Sequence, residues 1–206
     1  MSAAAPLLHV IAGPNGAGKS TYYQRHIQPR FSAPFVNADL IAKARSPDSA
    51  EAHSYAAGQI AEGQRQTYLS ERRSFAAETV FSHPSKLDLL KQAKAAGYVV
   101  WLTYINVMSA ELTAQRVLER VERGGHRVSP DKIAERYVRV TQLMAQAVRI
   151  ADKAWVLDNS RASAPHQCVM IFESGKLVFA PQALPAWAKN LLKPPPASSS
   201  RRGKTV

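Results

Sequence analysis

Apolar residues fall along the chain in short runs, separated by stretches whose hydrophobic spacing is that of a helix. The run LLHVIAG (Leu7 to Gly13) has the length of a buried strand, and PFVNAD (Pro34 to Asp39), SFAAETV (Ser74 to Val80), YVVWLTYINV (Tyr98 to Val107) and AWVLDN (Ala154 to Asn159) repeat that signature. In PDKIAERYVRVTQLMAQAVRIAD (Pro130 to Asp152) the apolar positions Ile133, Tyr137, Val140, Met144 and Val148 instead recur every three or four residues. SAELTAQRVLERVER (Ser109 to Arg123) likewise gathers Ala114, Val117, Leu118 and Val121 on one side. Alternating strands and helices predict an α/β protein with helices on both faces of a mostly parallel, five-stranded sheet. CVMIFESGKLVF (Cys168 to Phe179) reads as a C-terminal hairpin turning at Ser174 and Gly175. Ligands bind such sheets beyond the carboxyl ends of the strands. That edge collects Gly13, Asn37 to Asp39, Glu78, Thr79, Asp158 and Asn159.

The first of these strand ends runs into GPNGAGKST: Gly13, Pro14, Asn15, Gly16, Ala17, Gly18, Lys19, Ser20 and Thr21. This is the phosphate-loop pattern G-x-x-x-x-G-K-[ST]. Its glycines let backbone N–H groups turn inward around an anion, its lysine brings a charge to the β/γ-phosphates, and its hydroxyl faces Mg²⁺. A helix from Lys19 to His26 is expected to start where the phosphates sit. The expected fold class is therefore a P-loop NTPase, three-layer α/β/α, and the expected cofactors are ATP and Mg²⁺. The chain lacks the LSGGQ-like signature of transporter ATPases and the N-K-x-D motif of guanine-specific proteins.

Composition narrows the setting. With 206 residues, one domain over residues 1–193 is expected. Residues 194–206, rich in Pro, Ser and basic side chains, are expected to be a disordered tail. The formal net charge of +12 suits anionic ligands, and five of the basic residues lie from Lys189 onward. A lone cysteine, Cys168, excludes an internal disulfide, and no run approaches membrane-spanning length. The expectation is a cytoplasmic protein without membrane contact.

A phosphotransferase also needs a base and mobile cations. Asp39 is the base candidate, and its alternative role is N-cap of the following helix. Arg116, Arg120 and Arg123 share one helix face. The pair Gly124 and Gly125, followed by His126 and Arg127, has the composition of a hinged helical lid. A solvated basic face with a glycine stop is the other reading.

Taken together, FVNADLIA, FAAETVFS and RVLERVERGGHRVSPDKIAERYVR, in this order behind GPNGAGKST and followed by DNS, resemble the zeta toxin family of phosphate-loop kinases over Val10 to about Ser160. The resemblance implies an ATP-dependent kinase that phosphorylates a sugar hydroxyl of UDP-N-acetylglucosamine, with an antitoxin protein as a possible partner. It implies Lys19 and Ser20 as ATP and Mg²⁺ ligands and Asp39 as catalytic base. Glu62, Glu78 and Thr79 fall at substrate-binding positions, and Arg120 and Arg127 match the arginines on the transferred phosphate. The lid is shorter here, which keeps Arg116, Arg123 and Arg136 as alternatives. One departure bears on the acceptor: where the family often has a second hydroxyl residue after E-T, this chain has Val80. Two other readings stand beside the small-molecule kinase. One is a kinase for a nucleic-acid 5′-hydroxyl, disfavoured by the lack of aromatic residues among the basic segments. The other is an ATP-binding module without turnover.

Overall fold

The computed structural model describes residues 4–45, 54–122 and 128–193. Seven strands form one sheet: β1 Leu7–Ala12, β2 Phe35–Val36, β3 Phe75–Thr79, β4 Val99–Asn106, β5 Lys153–Asp158, β6 Gln167–Glu173 and β7 Lys176–Phe179, in the spatial order β2-β3-β1-β4-β5-β6-β7. The first five strands are parallel. The hairpin is no separate appendage, because β6 pairs antiparallel with β5 and β7 with β6, extending the expected five strands to seven. Its turn places Ser174 at φ 47° and Gly175 at φ 75°, the double left-handed geometry that suits a two-residue connection.

The helices are α1 Lys19–Tyr22, α2 Ala38–Arg45, α3 Ser54–Ser70, α4 Ser85–Ala95, α5 Ala110–Glu122 and α6 Pro130–Ile150. The helix expected from Lys19 to His26 begins as α1, widens into a π-helical turn over Tyr23–Ile27 and closes in a 3₁₀ turn, Gln28–Arg30. Pro29, lacking an N–H, belongs to that ending.

Strand pleating divides the core. Leu8, Val10, Phe75, Leu102, Tyr104 and Val156 point to the face that also buries Leu90 of α4 and Met144 and Val148 of α6. Ile11, Ala76, Ile105 and Leu157 point to the other face, against Tyr23 and Ile27 of the π-helical turn. The sequence period of α6 is realised: Ile133, Val140, Met144 and Val148 are buried, and the half-buried Tyr137 donates its hydroxyl to the Val107 carbonyl at 2.7 Å. Burial on both faces anchors the strands, so the loops at their carboxyl ends are held by a rigid base. Among the described residues, no helix is long and apolar enough to cross a membrane.

Two differences from the sequence reading matter for the site. The second strand stops at Val36, three residues short of Asp39, because Asn37 turns the chain into α2. The glycine hinge at Gly124 and Gly125, with Arg123, His126 and Arg127, lies outside the described residues, as does the tail from 194 onward.

Candidate active site

The loop between β1 and α1 is shaped by backbone that only glycine adopts without strain. Gly13 has φ 148° and Gly18 φ 89°; a side chain at Gly13 would strike the Ile105 carbonyl, and one at Gly18 the Asn159 amide. The end of β5 fastens this loop. Asn159 Nδ2 donates to the Ala17 carbonyl at 2.9 Å, while its Oδ1 accepts the His166 N–H at 3.2 Å. His166 Nε2 lies 3.2 Å from the Gly18 carbonyl, a contact that needs the proton on Nε2. Burial lowers the pKa of His166, although that hydrogen bond works the other way.

Lys19 is 7% exposed and folds back to donate from Nζ to the Pro14 carbonyl at 3.0 Å. Burial pushes its pKa down; the carboxylates of Glu78 and Asp39 oppose that shift, and the charge of Arg120 adds to it. A buried ammonium whose hydrogen bond among the described residues goes to a neutral carbonyl is under-compensated, which suits a group waiting for anionic oxygen.

The carboxylates face this loop from two other elements. Glu78, at the end of β3, accepts from the Ser20 hydroxyl at 2.9 Å through Oε1 and from Asn37 Nδ2 at 3.0 Å through Oε2. Asn37 Oδ1 in turn accepts the N–H groups of Asp39 at 2.8 Å and Leu40 at 3.2 Å. Asn37 is therefore the N-cap of α2. Asp39 sits in the first helical turn with an exposed carboxylate that does no capping. Thr79 Oγ1 accepts the Phe81 N–H at 3.2 Å, which supports the left-handed backbone of Phe81 at φ 62°.

These groups line a cleft of about 500 Å³, the size of a small-ligand site. Asn15, Gly16, Gly18, Lys19, Ser20 and Thr21 supply the loop side, with Asp39, Glu78 and Thr79 beside them. Among the described residues, five more cations border it: Arg65, Lys86, Arg116, Arg120 and Arg136. The arginines differ in what they do. Arg116 donates to the carbonyl of Asn159 at 2.8 Å, so it braces the β5 end behind the loop. Arg120 and Arg136 line the cleft from α5 and α6, and Arg120 lies close enough to Lys19 for their charges to interact. Arg127 lies outside the described residues.

Glu62 is not among the residues lining the cleft; it stands behind two that do, pairing with Arg65 at 2.6 Å and Lys86 at 3.2 Å. Partial burial raises its pKa, but hydrogen bonds from Arg65 and Gln66 and the charges of Arg65 and Lys86 outweigh that and hold it down at about 2. Arg65 and Lys86 escaped the sequence reading, and Asn37 entered it only as a strand-end residue, without its capping role. An asparagine directly before a helix start is a capping signal, and Arg65 three residues after Glu62 is a helical charge pair, so these two were open to detection. The Lys86 contact spans 24 residues and leaves no local trace.

The arrangement fits both expected cofactors. Three loop glycines at positive φ leave room only for backbone, and Lys19 waits beside them. For the cation, Ser20 and Glu78 offer hard oxygen donors next to the loop, the donor type that Mg²⁺ takes together with water and phosphate oxygens.

Comparison with known proteins decides the family: the sequence profile described as Zeta toxin matches residues 1–181. The chain belongs to the zeta toxin family. Among relatives of this zeta toxin family chain, an uncharacterised protein of Haemophilus influenzae is 30% identical over 125 residues, covering 61% of this chain and 88% of that protein. Solved structures share the fold at lower identity. The PezAT toxin–antitoxin system of Streptococcus pneumoniae aligns with TM-score 0.60 and 19% identity over 83% of this chain and 73% of that one. The AvrRxo1-ORF1:-ORF2 structure with ATP aligns with TM-score 0.64 and 16% identity over 85% of this chain and 60% of that one. The chain thus spans about six tenths of the length of the AvrRxo1 chains it matches.

Proposed function

We propose that the protein is an ATP-dependent kinase that transfers the γ-phosphoryl group to a hydroxyl of a small molecule, with UDP-N-acetylglucosamine or a related sugar nucleotide as acceptor. The observation that carries this reading is the division of labour at the start of α2: Asn37 caps the helix, and Asp39 presents an exposed carboxylate to the same cleft as the phosphate loop. A nucleotide switch without turnover has no use for such a carboxylate.

In this reading Asp39 accepts the proton of the acceptor hydroxyl as the hydroxyl oxygen attacks the γ-phosphorus, the bond from that phosphorus to the β,γ-bridging oxygen breaks, and ADP leaves. Lys19 leaves the Pro14 carbonyl for the β/γ-phosphate oxygens. Arg120, with Arg127 or Arg136, meets the charge that spreads over the migrating group. Ser20 and Glu78 would hold Mg²⁺, which would supply positive charge to offset that of the phosphate oxygens. Glu78, Thr79 and the α3–α4 wall behind which Glu62 stands form the acceptor side. The family relationship and the ATP-containing AvrRxo1 structure support the cofactor assignment. The toxin–antitoxin character of PezAT supports an antitoxin partner.

The test is mass spectrometry of purified protein incubated with Mg²⁺·ATP and UDP-N-acetylglucosamine. The expected product is the sugar nucleotide carrying one additional phosphoryl group. Its absence, with phosphorylation of a 5′-hydroxyl oligonucleotide in a parallel reaction, moves the assignment to nucleic-acid repair chemistry. No phosphoryl transfer to these or to any component of a bacterial metabolite extract sinks the kinase reading.

A further inference from the structure

The wall of the cleft formed by α3 and α4 carries more positive charge than its carboxylate compensates. Arg65 and Lys86 both bind Glu62 Oε2, so two cations share one carboxylate and one positive charge is left over. The Arg65 side chain is only 6% exposed. Its Nε is buried and meets no hydrogen-bond acceptor among the described residues. Leaving such a donor unsatisfied is costly, and burying a guanidinium is more so. Both costs fall if an anion enters the cleft beside it, because a guanidinium offers several N–H donors in a fixed fork and only one contact here is spent on Glu62.

The position says which anion. The nucleotide phosphates belong to the glycine loop and Lys19, with Arg120 and Arg136 approaching from α5 and α6. Arg65 and Lys86 come from different elements, and with them Gly58 of α3 and Ser82 of the β3–α4 connection line the cleft. Among the described residues, and apart from its chain neighbours and its own helix backbone, no atom lies within 4 Å of where a side chain at Gly58 would begin, so α3 crowds the cleft little there.

We infer that Arg65 and Lys86 form an acceptor-side subsite for a phosphate or diphosphate group, so that the enzyme selects alcohols already carrying a phosphate over uncharged sugars and nucleosides. This rests on the kinase reading and adds the residues that set acceptor charge. Removing one member of a charge-assisted contact in a closed site weakens binding by about ten-fold or more.

The experiment uses the full chain saturated with Mg²⁺ and a non-hydrolysable ATP analogue, titrated calorimetrically with inorganic pyrophosphate. Wild type should bind pyrophosphate in addition to the analogue. Lys86→Met, which keeps the aliphatic stem of a partly exposed side chain, should weaken it about ten-fold or more, with analogue affinity and melting temperature unchanged. Arg65→Lys, which keeps the charge and removes the fork, should weaken it as well. Normal analogue binding without a pyrophosphate site, or a site indifferent to both substitutions, overturns the inference and leaves the kinase reading intact. Failure to bind the analogue overturns both.

Discussion

Asn37 Oδ1 accepts the backbone N–H of Asp39 at 2.8 Å, so the cap of α2 is the asparagine and not the aspartate two residues on. Asp39→Asn should therefore leave helix capping and ATP affinity intact while lowering phosphoryl transfer about 10²-fold or more, the usual size of general-base catalysis. Asn37→Ala should behave differently, with stability lower by about 1 kcal/mol from the lost cap. Melting temperature, analogue affinity and turnover for the two variants check this. An Asp39→Asn protein that turns over normally removes Asp39 from the chemistry.

Lys19 should be the residue that ATP binding most depends on. Its ammonium is buried and bonded to the Pro14 carbonyl, so the charge is desolvated in advance and aimed at the space inside the loop. Lys19→Met fills the same channel without the charge, and phosphoryl transfer should become undetectable with ATP affinity reduced at least ten-fold. Removing a buried, weakly compensated charge should not lower the melting temperature. A folded Lys19→Met protein with near-normal turnover would refute the assignment of the loop.

Much of this site was legible because its parts are local. The loop GPNGAGKST carries its own backbone requirements, and β3 announces Glu78 and Thr79 as a strand end whatever the rest of the chain does. What was hidden depends on contacts across the fold. That β2 would stop at Val36 followed from the capping bond of Asn37, which a strand-length apolar run masks. The family resemblance put Glu62 at a substrate-binding position, and the ion pairs it makes with Arg65 and with Lys86 of α4 include one that only the fold brings together. The hairpin was recognised from its turn, yet its union with β5 is a pairing choice that no local pattern encodes.

Arg116 and Arg120, one helical turn apart on α5, should give opposite kinetic signatures. Arg116 holds the carbonyl of Asn159, which in turn holds the loop at Ala17, so Arg116→Ala should loosen the nucleotide site and raise the KM for ATP. Arg120 lines the cleft near Lys19, and charge on the γ-phosphoryl oxygens spreads only during transfer. Arg120→Ala should thus lower kcat with little change in ATP affinity. Steady-state kinetics of both variants decide the matter, and a pure KM effect for Arg120→Ala would return it to a binding role.

Acid stability should be governed in part by a histidine that does not line the cleft. His9 lies inside β1, 7% exposed, with Nε2 3.0 Å from Thr103 Oγ1 and its ring edge-on to Trp101 at 5.8 Å. Burial lowers its pKa to about 4 from an ordinary value of 6.5. The unfolded chain therefore binds a proton at this residue between pH 6.5 and 4 while the folded chain does not. Stability is fully present above pH 6.5 and falls as pH drops through that window, by about 3 kcal/mol in all for a shift of this size. His9→Gln keeps a hydrogen-bonding side chain that does not titrate, so its urea midpoint should change less between pH 7 and pH 4. A smaller slope will persist in the variant, because burial also lowers the pKa of His166. Equal pH dependence in wild type and His9→Gln would show that the fold tolerates a charged imidazole between Trp101 and Phe31, and the acid limb would then belong to other groups.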